Sequence, residues 1–214
     1  MQITIVGAGN MARGIATRAL VGGHTVTVTT RDPGKAVRLV DELRVQATGA
    51  GRIAAADASA VDTADIVVLA VPFDAAKELA TAYGVRLSGK VLIDISNPVD
   101  APLDALVVAP GTSAAEEIAE AVAPGTHVVK AFNTTFATTL VAGQVSGAPL
   151  DVFIAGDDEA ARATVGPAPS RSSPPERPAA TPFTHLLARN PHGPAVNRHR
   201  SPTRRTTPCT CAPP

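Results

Sequence analysis

Short continuous apolar runs alternate with amphipathic stretches through most of the chain. Strands covered on both faces need no polar alternation, and the runs predict strands at residues 3–6, 25–29, near 53, and at 66–70, 90–95, 127–131 and 150–155. Helical patterns separate them at residues 10–21, 33–47, 73–83 and 112–123, and the acids at 157–159 open another helix. The alternation predicts an α/β fold with a doubly wound, mostly parallel sheet.

This pattern stops near Val165. Residues 166–214 hold 12 of the 19 prolines and only three Val, Ile or Leu residues, too few to bury a core. Net charge also changes sign, from −6 over residues 1–165 (12 Lys and Arg, 18 Asp and Glu) to +6 over 166–214 (seven Arg, one Glu). We predict a folded domain over 1–165 and a Pro-, Arg-, Ser- and Thr-rich, disordered tail over 166–214.

Composition narrows the function classes. Aromatic residues make up 3% of the chain and its net charge is zero, which disfavours nucleic-acid partners. Both cysteines lie in the tail, so thiol chemistry and a metal site are not expected in the domain. The chain contains no apolar run of about 18 residues and no basic, signal-like start. We therefore expect a cytoplasmic protein without membrane partners.

The first predicted strand runs into a turn with the G-x-G-x-x-A spacing, made of Gly7, Ala8, Gly9, Asn10, Met11 and Ala12. Between a strand and a helix, this motif predicts a Rossmann-type dinucleotide-binding domain. Gly7 allows the tight turn, and Gly9 lets the backbone approach a pyrophosphate at the helix N-terminus. Ala12 and Gly14 would let the helix lie close to the strand. The alternative is a tight turn without a ligand.

The end of the second strand bears on the choice of cofactor. An NAD site places an acid there, whereas this chain has Thr30 and Arg31, with Lys35 one turn later. These groups can hold the 2′-phosphate of NADP, while Asp32 caps the following helix. A solvated loop and helix start is the alternative interpretation.

Three further loops follow strands at the same edge of the predicted sheet. The candidate cofactor contacts in them are Ala70, Val71, Pro72, Phe73, Asn97, Asn133 and Thr134. The side-chain amides of Asn97 and Asn133 and the hydroxyl of Thr134 can bind a carboxamide or a ribose. The alternative for the two asparagines is that they are ordinary turn residues without a ligand. His24 and His127 are expected to be solvated. A domain without acid–base groups suits hydride transfer, in which the cofactor carries the chemistry.

These segments resemble the NADPH-dependent reductases of coenzyme F420, the F420H2:NADP oxidoreductases. The matching stretches are IVGAGNMARGIATRAL, TTRDPGKA, LAVPFDAAKELA, VLIDISNPV, SAAEEIAEAVA, VVKAFNTT and DVFIAGDDEAA. They fall within residues 1–165. The GAGNM…TTR…K combination is fairly specific to this family, whereas VVKAFNT is shared with the cytoplasmic domains of ferric reductases.

The resemblance implies NADP as cofactor, the F420 deazaflavin as substrate, and no catalytic side chain. It implies that residues 8–11 contact the pyrophosphate, that Thr30, Arg31 and Lys35 hold the 2′-phosphate, and that residues 71–73 line the nicotinamide side. Asn133, Thr134 and Ala137 would lie where the two rings meet. Some members carry a histidine at the position of Asn133. The hydride would pass between nicotinamide C4 and deazaflavin C5, with the rings roughly 3–3.5 Å apart.

The resemblance ends at Gly166. The family continues with a strand and a small helical segment that pack near the deazaflavin and support oligomer contacts. PAPSRSSPPERPAATP follows here instead. We interpret residues 166–214 as a frameshift product of a G+C-rich gene or a sequencing error, with a genuine disordered tail as the alternative. A homo-oligomer would be weakened by this change. The open alternatives for function are an inactive NADP-binding remnant and a ferric-reductase-like or pyrroline-carboxylate-reductase-like enzyme.

Overall fold

The computed structural model describes residues 1–46 and 49–166 of the 214-residue chain. The strands are β1 (Gln2–Val6), β2 (Thr25–Thr29), β3 (Arg52–Ala55), β4 (Ile66–Leu69), β5 (Val91–Asp94), β6 (His127–Ala131), β7 (Gln144–Val145), β8 (Ala148–Pro149) and β9 (Ile154–Ala155). The α-helices are α1 (Asn10–Val21), α2 (Pro33–Gln46), α3 (Phe73–Tyr83), α4 (Ala114–Ala121), α5 (Ala137–Ala142) and α6 (Glu159–Val165). Short 3-10 helices span Ala58–Val61 and Gly84–Leu87.

Seven strands form one sheet in the order β3-β2-β1-β4-β5-β6-β9. All neighbours pair in parallel except β9, which runs antiparallel to β6. The strand order reverses between β1 and β4, which makes this the switch point of the sheet. In such sheets, ligands bind in the crevice outside the carboxyl ends of the strands at that point. The predicted doubly wound, mostly parallel α/β fold is confirmed.

Helices cover both faces of the sheet, which explains the continuous apolar runs. Every residue of β4 and β5 is buried. One core lies under α1 and α2 and includes Ile5, Ile15 and Leu39. The other lies under α3 and α4 and includes Leu92 and Ile118. Strands in the middle of such a sheet have no solvent face, so they show no polar alternation.

The structure differs from the predicted elements beyond β6. The predicted strand at 150–155 pairs only at Ile154–Ala155, because it meets only the last two residues of β6. Helix α5 and the β7–β8 hairpin were not predicted. The α5 sequence, ATTLVA, is short and rich in β-branched residues, so it carries a weak helical signal. Gly143 ends this helix in the left-handed conformation, with φ 68°.

Within the described ranges, no helix is long and apolar enough to cross a membrane. Helix α6 ends at Val165 and the described residues end at Gly166, so the domain boundary near Val165 stays a prediction. The predicted disorder of the tail concerns residues that lie outside the described ones, apart from Gly166.

Candidate functional site

The turn after β1 carries the glycine-rich motif, and its two glycines have different surroundings. Gly7 has φ +121°, and a Cβ there would lie 2.3 Å from the carbonyl oxygen of Ala70, which follows β4. The chain needs glycine at this position to pass that carbonyl. Gly9 is exposed, and a Cβ there would meet no atom of the described residues within 4 Å. The packing of the domain leaves space at Gly9 for a group that approaches the backbone.

Helix α1 begins directly after this turn. Gly9 is its N-cap and supplies no side-chain cap to the first-turn N–H groups. Such N–H groups and the positive end of the helix dipole attract phosphate oxygens. Ala8 and Met11 pack against the core, Ala12 is fully buried and Asn10 is exposed. What the turn offers to a pyrophosphate is therefore mainly its backbone.

Gly14 lies one turn further along α1 and contacts a different element from the one expected. A Cβ at Gly14 would lie 2.7 Å from Cβ of Leu140 and 3.0 Å from the carbonyl oxygen of Ala137, both in α5. The expectation that Gly14 brings the helix close to the strand is therefore wrong, because the close approach is between α1 and α5. The Arg18 guanidinium strengthens this contact by donating to the carbonyl of Val141 over 2.7 Å.

A cleft of about 620 Å³ opens at the carboxyl ends of β1, β2, β3 and β4. Gly7, Thr30 and Arg31 line one part of it, and Val71 and Pro72 line another. Most of the remaining wall is apolar, supplied by α2 and α3 through Ala36, Val37, Ala75, Leu79 and Ala82. A mostly apolar crevice with a few polar groups at the switch point suits a flat heteroaromatic ligand such as an adenine ring.

The polar end of the cleft lies at the start of α2. Thr30 is half-buried and Arg31 is exposed. Asp32 Oδ1 accepts from the backbone N–H of Gly34 over 3.0 Å, the helix-capping role predicted for it. Lys35 is exposed in the first turn of α2 and does not line the cleft itself. The end of β2 thus presents the Arg31 guanidinium, while the carboxylate of Asp32 is hydrogen-bonded to the N-terminus of α2.

Three polar residues of the cleft were missed by the sequence interpretation: Asp57, Glu78 and Tyr83. Asp57 follows β3. Its hydrogen bonds with the side chain of Ser59 and, to a smaller extent, with the backbone N–H of Ser59 lower the pKa of its carboxyl group. Burial raises the pKa of the Tyr83 phenol, with Arg86 acting in the opposite direction. Asp57 was detectable in the sequence, since it follows a strand at the same edge as Thr30.

Two of the predicted residues meet on the other side of the switch point. Nδ2 of Asn97, after β5, donates to the carbonyl oxygen of Asn133, after β6, over 3.1 Å. Nδ2 of Asn133 donates back to Oδ1 of Asn97 over 3.3 Å. Thr134 is exposed and Ala137 opens α5. Phe73 does not join Val71 and Pro72 in the cleft, because its ring is buried in the core under α3.

A buried ion pair lies at the carboxyl ends of β5 and β6. Asp94 is fully buried, and its Oδ2 lies 2.6 Å from Nζ of Lys130, its register partner on β6. Oδ1 of Asp94 accepts from the N–H of Ser96 over 2.8 Å, and Lys130 also donates to the carbonyl of Ser96. The sequence interpretation did not single out either partner, although both are charged residues inside apolar strand runs.

His24 and His127 lie away from this edge of the sheet. His24 was expected to be solvated, and this is wrong: it is only 9% exposed. Its imidazole lies close to Gly22, and its carbonyl accepts from the N–H of Arg52, the first residue of β3. Burial, and secondarily the N-terminal ammonium, lowers the pKa of His24. His127 is partly exposed, with Nδ1 3.3 Å from Oδ2 of Asp158. The described residues contain no group of three or more His, Cys, Asp or Glu able to hold a metal.

The chain is similar to proteins of a known family. A family described as coenzyme F420-dependent NADP oxidoreductases matches residues 2–98. A solved structure from Arthrobacter sp. FB24, assigned as an F420-dependent NADP reductase, is 31% identical, with 76% of this chain and 77% of that one covered and a TM-score of 0.63.

Two curated relatives have about the same sequence identity to this chain as that structure. An F420-dependent NADP reductase of Methanothermobacter marburgensis is 32% identical over 158 residues, 66% of this chain and 66% of that reductase. The metalloreductase STEAP3 of Rattus norvegicus is 32% identical over 164 residues, 77% of this chain and 30% of that protein. The chain therefore spans just under two thirds of the first relative and less than a third of the second.

Proposed function

The chain belongs to the family of coenzyme F420-dependent NADP oxidoreductases, and we propose that it transfers a hydride between NADP(H) and the F420 deazaflavin. The observation that carries this proposal is the cleft of about 620 Å³ whose lining includes both Gly7 of the glycine turn and Arg31 after β2. Its mostly apolar lining suits the adenosine half of a dinucleotide, and the Arg31 guanidinium suits a 2′-phosphate.

In this proposal the adenosine half lies in the cleft and the pyrophosphate lies against the backbone of residues 8–11. Thr30 and Arg31, assisted by Lys35, hold the 2′-phosphate. The space at Gly9 is what a pyrophosphate at van der Waals distance from the backbone requires. Because the nearby Asp32 already caps α2, its carboxylate is turned to the helix rather than to a ribose.

The nicotinamide half then extends across the switch point toward β5 and β6. Val71 and Pro72 line the cleft, so in this proposal they lie where the two halves of the dinucleotide join. We assign the nicotinamide end to Ala70, Asn97, Asn133, Thr134 and Ala137. The paired amides of Asn97 and Asn133 supply uncharged donors and acceptors suited to a carboxamide. Phe73 contributes from the core, by fixing the start of α3 behind Pro72.

NADPH supplies a hydride from nicotinamide C4, and a deazaflavin accepts it at C5 and takes up one proton. The chain's contribution is to bind the two molecules and orient their rings, which is where enzymes of hydride transfer gain most of their rate. No side chain of the described domain is assigned a proton-transfer role in this scheme.

A second candidate is metal reduction at the expense of NADPH. The similarity to the rat metalloreductase over 77% of this chain favours it specifically. That relative is more than three times as long as the matched segment, so the match extends only to part of it.

The test compares acceptors with the purified full chain. NADPH is offered with F420, and separately with ferric citrate, while NADPH and deazaflavin absorbance are followed. Loss of F420 absorbance with an equal loss of NADPH, and little ferric reduction, is the expected result. Ferric reduction with inert F420 would favour the second candidate. Tight NADPH binding with neither acceptor reduced would identify the chain as an inactive NADP-binding remnant.

A further inference from the structure

The ion pair between Lys130 and Asp94 joins two strands at the edge of the sheet that faces the site. The two residues are direct neighbours in the β5–β6 register, and Asp94 is fully buried. A buried carboxylate needs a partner, and Lys130, whose side chain is 18% exposed, supplies it at 2.6 Å.

The same two side chains also hold the chain as it leaves β5. The backbone N–H of Ser96 donates to Asp94, and its carbonyl accepts from Lys130. Both backbone polar groups of Ser96 are thereby held by the ion pair. Asn97 is the next residue, so the direction in which its amide points depends on this anchoring.

Asn97 in turn fixes the loop after β6. Its Nδ2 binds the carbonyl of Asn133, directly after Phe132, a buried residue in the left-handed region with φ 66°. A non-glycine residue persists in that conformation only where its surroundings hold it. The contacts therefore form a chain from Lys130 and Asp94 through Ser96 and Asn97 to Asn133.

We propose that Lys130 is a positioning residue for the nicotinamide end of the dinucleotide, acting through Ser96 on the Asn97–Asn133 pair. This inference rests on one part of the proposed function, the position of the nicotinamide. It does not require F420 to be the acceptor. Lys130 is placed behind the asparagines, and its effect on the ligand is indirect.

The inference predicts different effects of Lys130 on the binding of the two halves of the dinucleotide. The adenosine half lies among residues of β1 to β4, α2 and α3, and neither Lys130 nor Asp94 lines that cleft. Loss of the anchor should weaken a ligand that carries nicotinamide and spare a ligand that does not. NADPH and adenosine 2′,5′-bisphosphate form such a pair, since they share the adenosine and the 2′-phosphate.

The experiment is a calorimetric titration of Lys130→Met with both ligands. The Kd of NADPH should rise about tenfold, as expected for a misplaced contact surface. The Kd of adenosine 2′,5′-bisphosphate should stay within about twofold of the unmodified chain. Equal weakening of the two ligands, or no weakening of NADPH, would overturn the inference.

Lys130→Met leaves Asp94 buried without its cation, which can unfold the domain. Asp94→Asn combined with Lys130→Met avoids this problem, because both groups are then neutral and an amide oxygen still accepts from Ser96. The double variant should show the same selective loss of NADPH affinity. A folded double variant that binds both ligands as the unmodified chain does would also overturn the inference.

Lys90 provides a matched control. It precedes β5 at the opposite end of the strand, and its Nζ donates to the carbonyls of Asp62 and Ala64 over 3.0 and 2.8 Å. Lys90→Met therefore removes an equivalent lysine anchor that is remote from the site. It should lower the melting temperature without changing the ratio of the two Kd values.

The result of these titrations does not depend on which acceptor the chain reduces. If the unmodified chain does not reduce F420 but Lys130→Met loses NADPH affinity selectively, the proposed acceptor is wrong and the positioning role stands. If F420 is reduced and the selectivity is absent, the proposed function stands and the positioning role is wrong.

Discussion

Asn97 and Asn133 hold each other across the gap between the ends of β5 and β6. One amide donates to the backbone of the other residue over 3.1 Å, and the second amide donates to the first side chain over 3.3 Å. Each amide group has two N–H donors and an oxygen with two lone pairs, so a pair of this kind retains capacity for a ligand. Mutual contact also makes the two side chains act as a unit.

This relationship predicts that alanine substitutions at the two asparagines are not additive. Asn97→Ala and Asn133→Ala should each lower kcat/KM for NADPH oxidation by about tenfold, because each loosens the same surface. The double variant should be no worse than the poorer single variant. Steady-state kinetics on the three variants measure this, and fully multiplicative losses would show that the pair does not act as a unit.

Arg31 should determine the preference for NADPH over NADH. Arg31→Ala removes a charge-assisted contact to the 2′-phosphate, so the Kd of NADPH should rise about 10- to 100-fold. The Kd of NADH, which lacks that phosphate, should be little changed. Lys35→Ala is the comparison variant, with a smaller expected effect because Lys35 lies outside the cleft lining. Equal losses for NADPH and NADH in Arg31→Ala would refute the 2′-phosphate assignment.

Gly9 should matter for binding and not for folding. A Cβ at Gly9 meets no atom of the described domain within 4 Å, so Gly9→Ala should leave the melting temperature nearly unchanged. The added methyl group would occupy the space proposed for the pyrophosphate, and NADPH affinity should fall by about tenfold or more. Thermal unfolding and ligand titration of the same sample measure the melting temperature and the NADPH affinity. Unchanged affinity would place the pyrophosphate elsewhere.

Gly14 should behave in the opposite way. A Cβ at Gly14 would lie 2.7 Å from Cβ of Leu140, so Gly14→Ala must push α5 away from α1. Overpacking of this kind costs about 1–3 kcal/mol of unfolding free energy. Chemical denaturation should show this loss in Gly14→Ala and not in Gly9→Ala. An unaffected Gly14→Ala variant would mean that the α1–α5 contact is looser than described.

His24 should make the fold sensitive to mild acid. Burial lowers the pKa of His24, so the folded state keeps it neutral where the unfolded chain, with a pKa of about 6.5, takes up a proton. The unfolded state binds more protons in that range, and the free energy of unfolding falls as the pH drops below about 6.5. The stability is fully present above that pH.

His24→Gln should reduce this dependence. The drop in melting temperature between about pH 7.5 and about pH 5.5 should be smaller in the variant than in the unmodified chain. The comparison of two pH values within each protein cancels any constant effect of the substitution. An identical drop in both proteins would show that other groups account for the acid sensitivity.

Local patterns were sufficient to predict much of the fold. The strands β2 and β6 and the helices α1 and α3 have the predicted bounds, and β1 begins one residue before its predicted start, because apolar runs, glycine stops and proline starts mark the ends of these elements. The glycine turn after β1 and the position of Thr30 and Arg31 at the carboxyl end of β2 also follow from the motif and the strand pattern.

Contacts between distant segments were not predictable in this way. Gly14 meets α5, which lies more than a hundred residues later, and no local signal names that partner. The carbonyl of His24 accepts from Arg52, the first residue of β3, and no local signal at His24 names that partner. The ion pair of Asp94 and Lys130 requires the β5–β6 register, which a single sequence does not specify. In each of these cases the missing information was which elements pack together.

The central claim is that a hydride passes directly from NADPH to F420 on this chain. The most direct measurement uses NADPH deuterated at one of the two nicotinamide C4 positions, in ordinary water, and analyses the reduced F420 by mass spectrometry and NMR. We expect deuterium at C5 of the deazaflavin from one of the two labelled isomers and none from the other. Reduced F420 with no deuterium at C5 from either isomer, or with label from both isomers, would contradict a transfer between fixed, stacked rings.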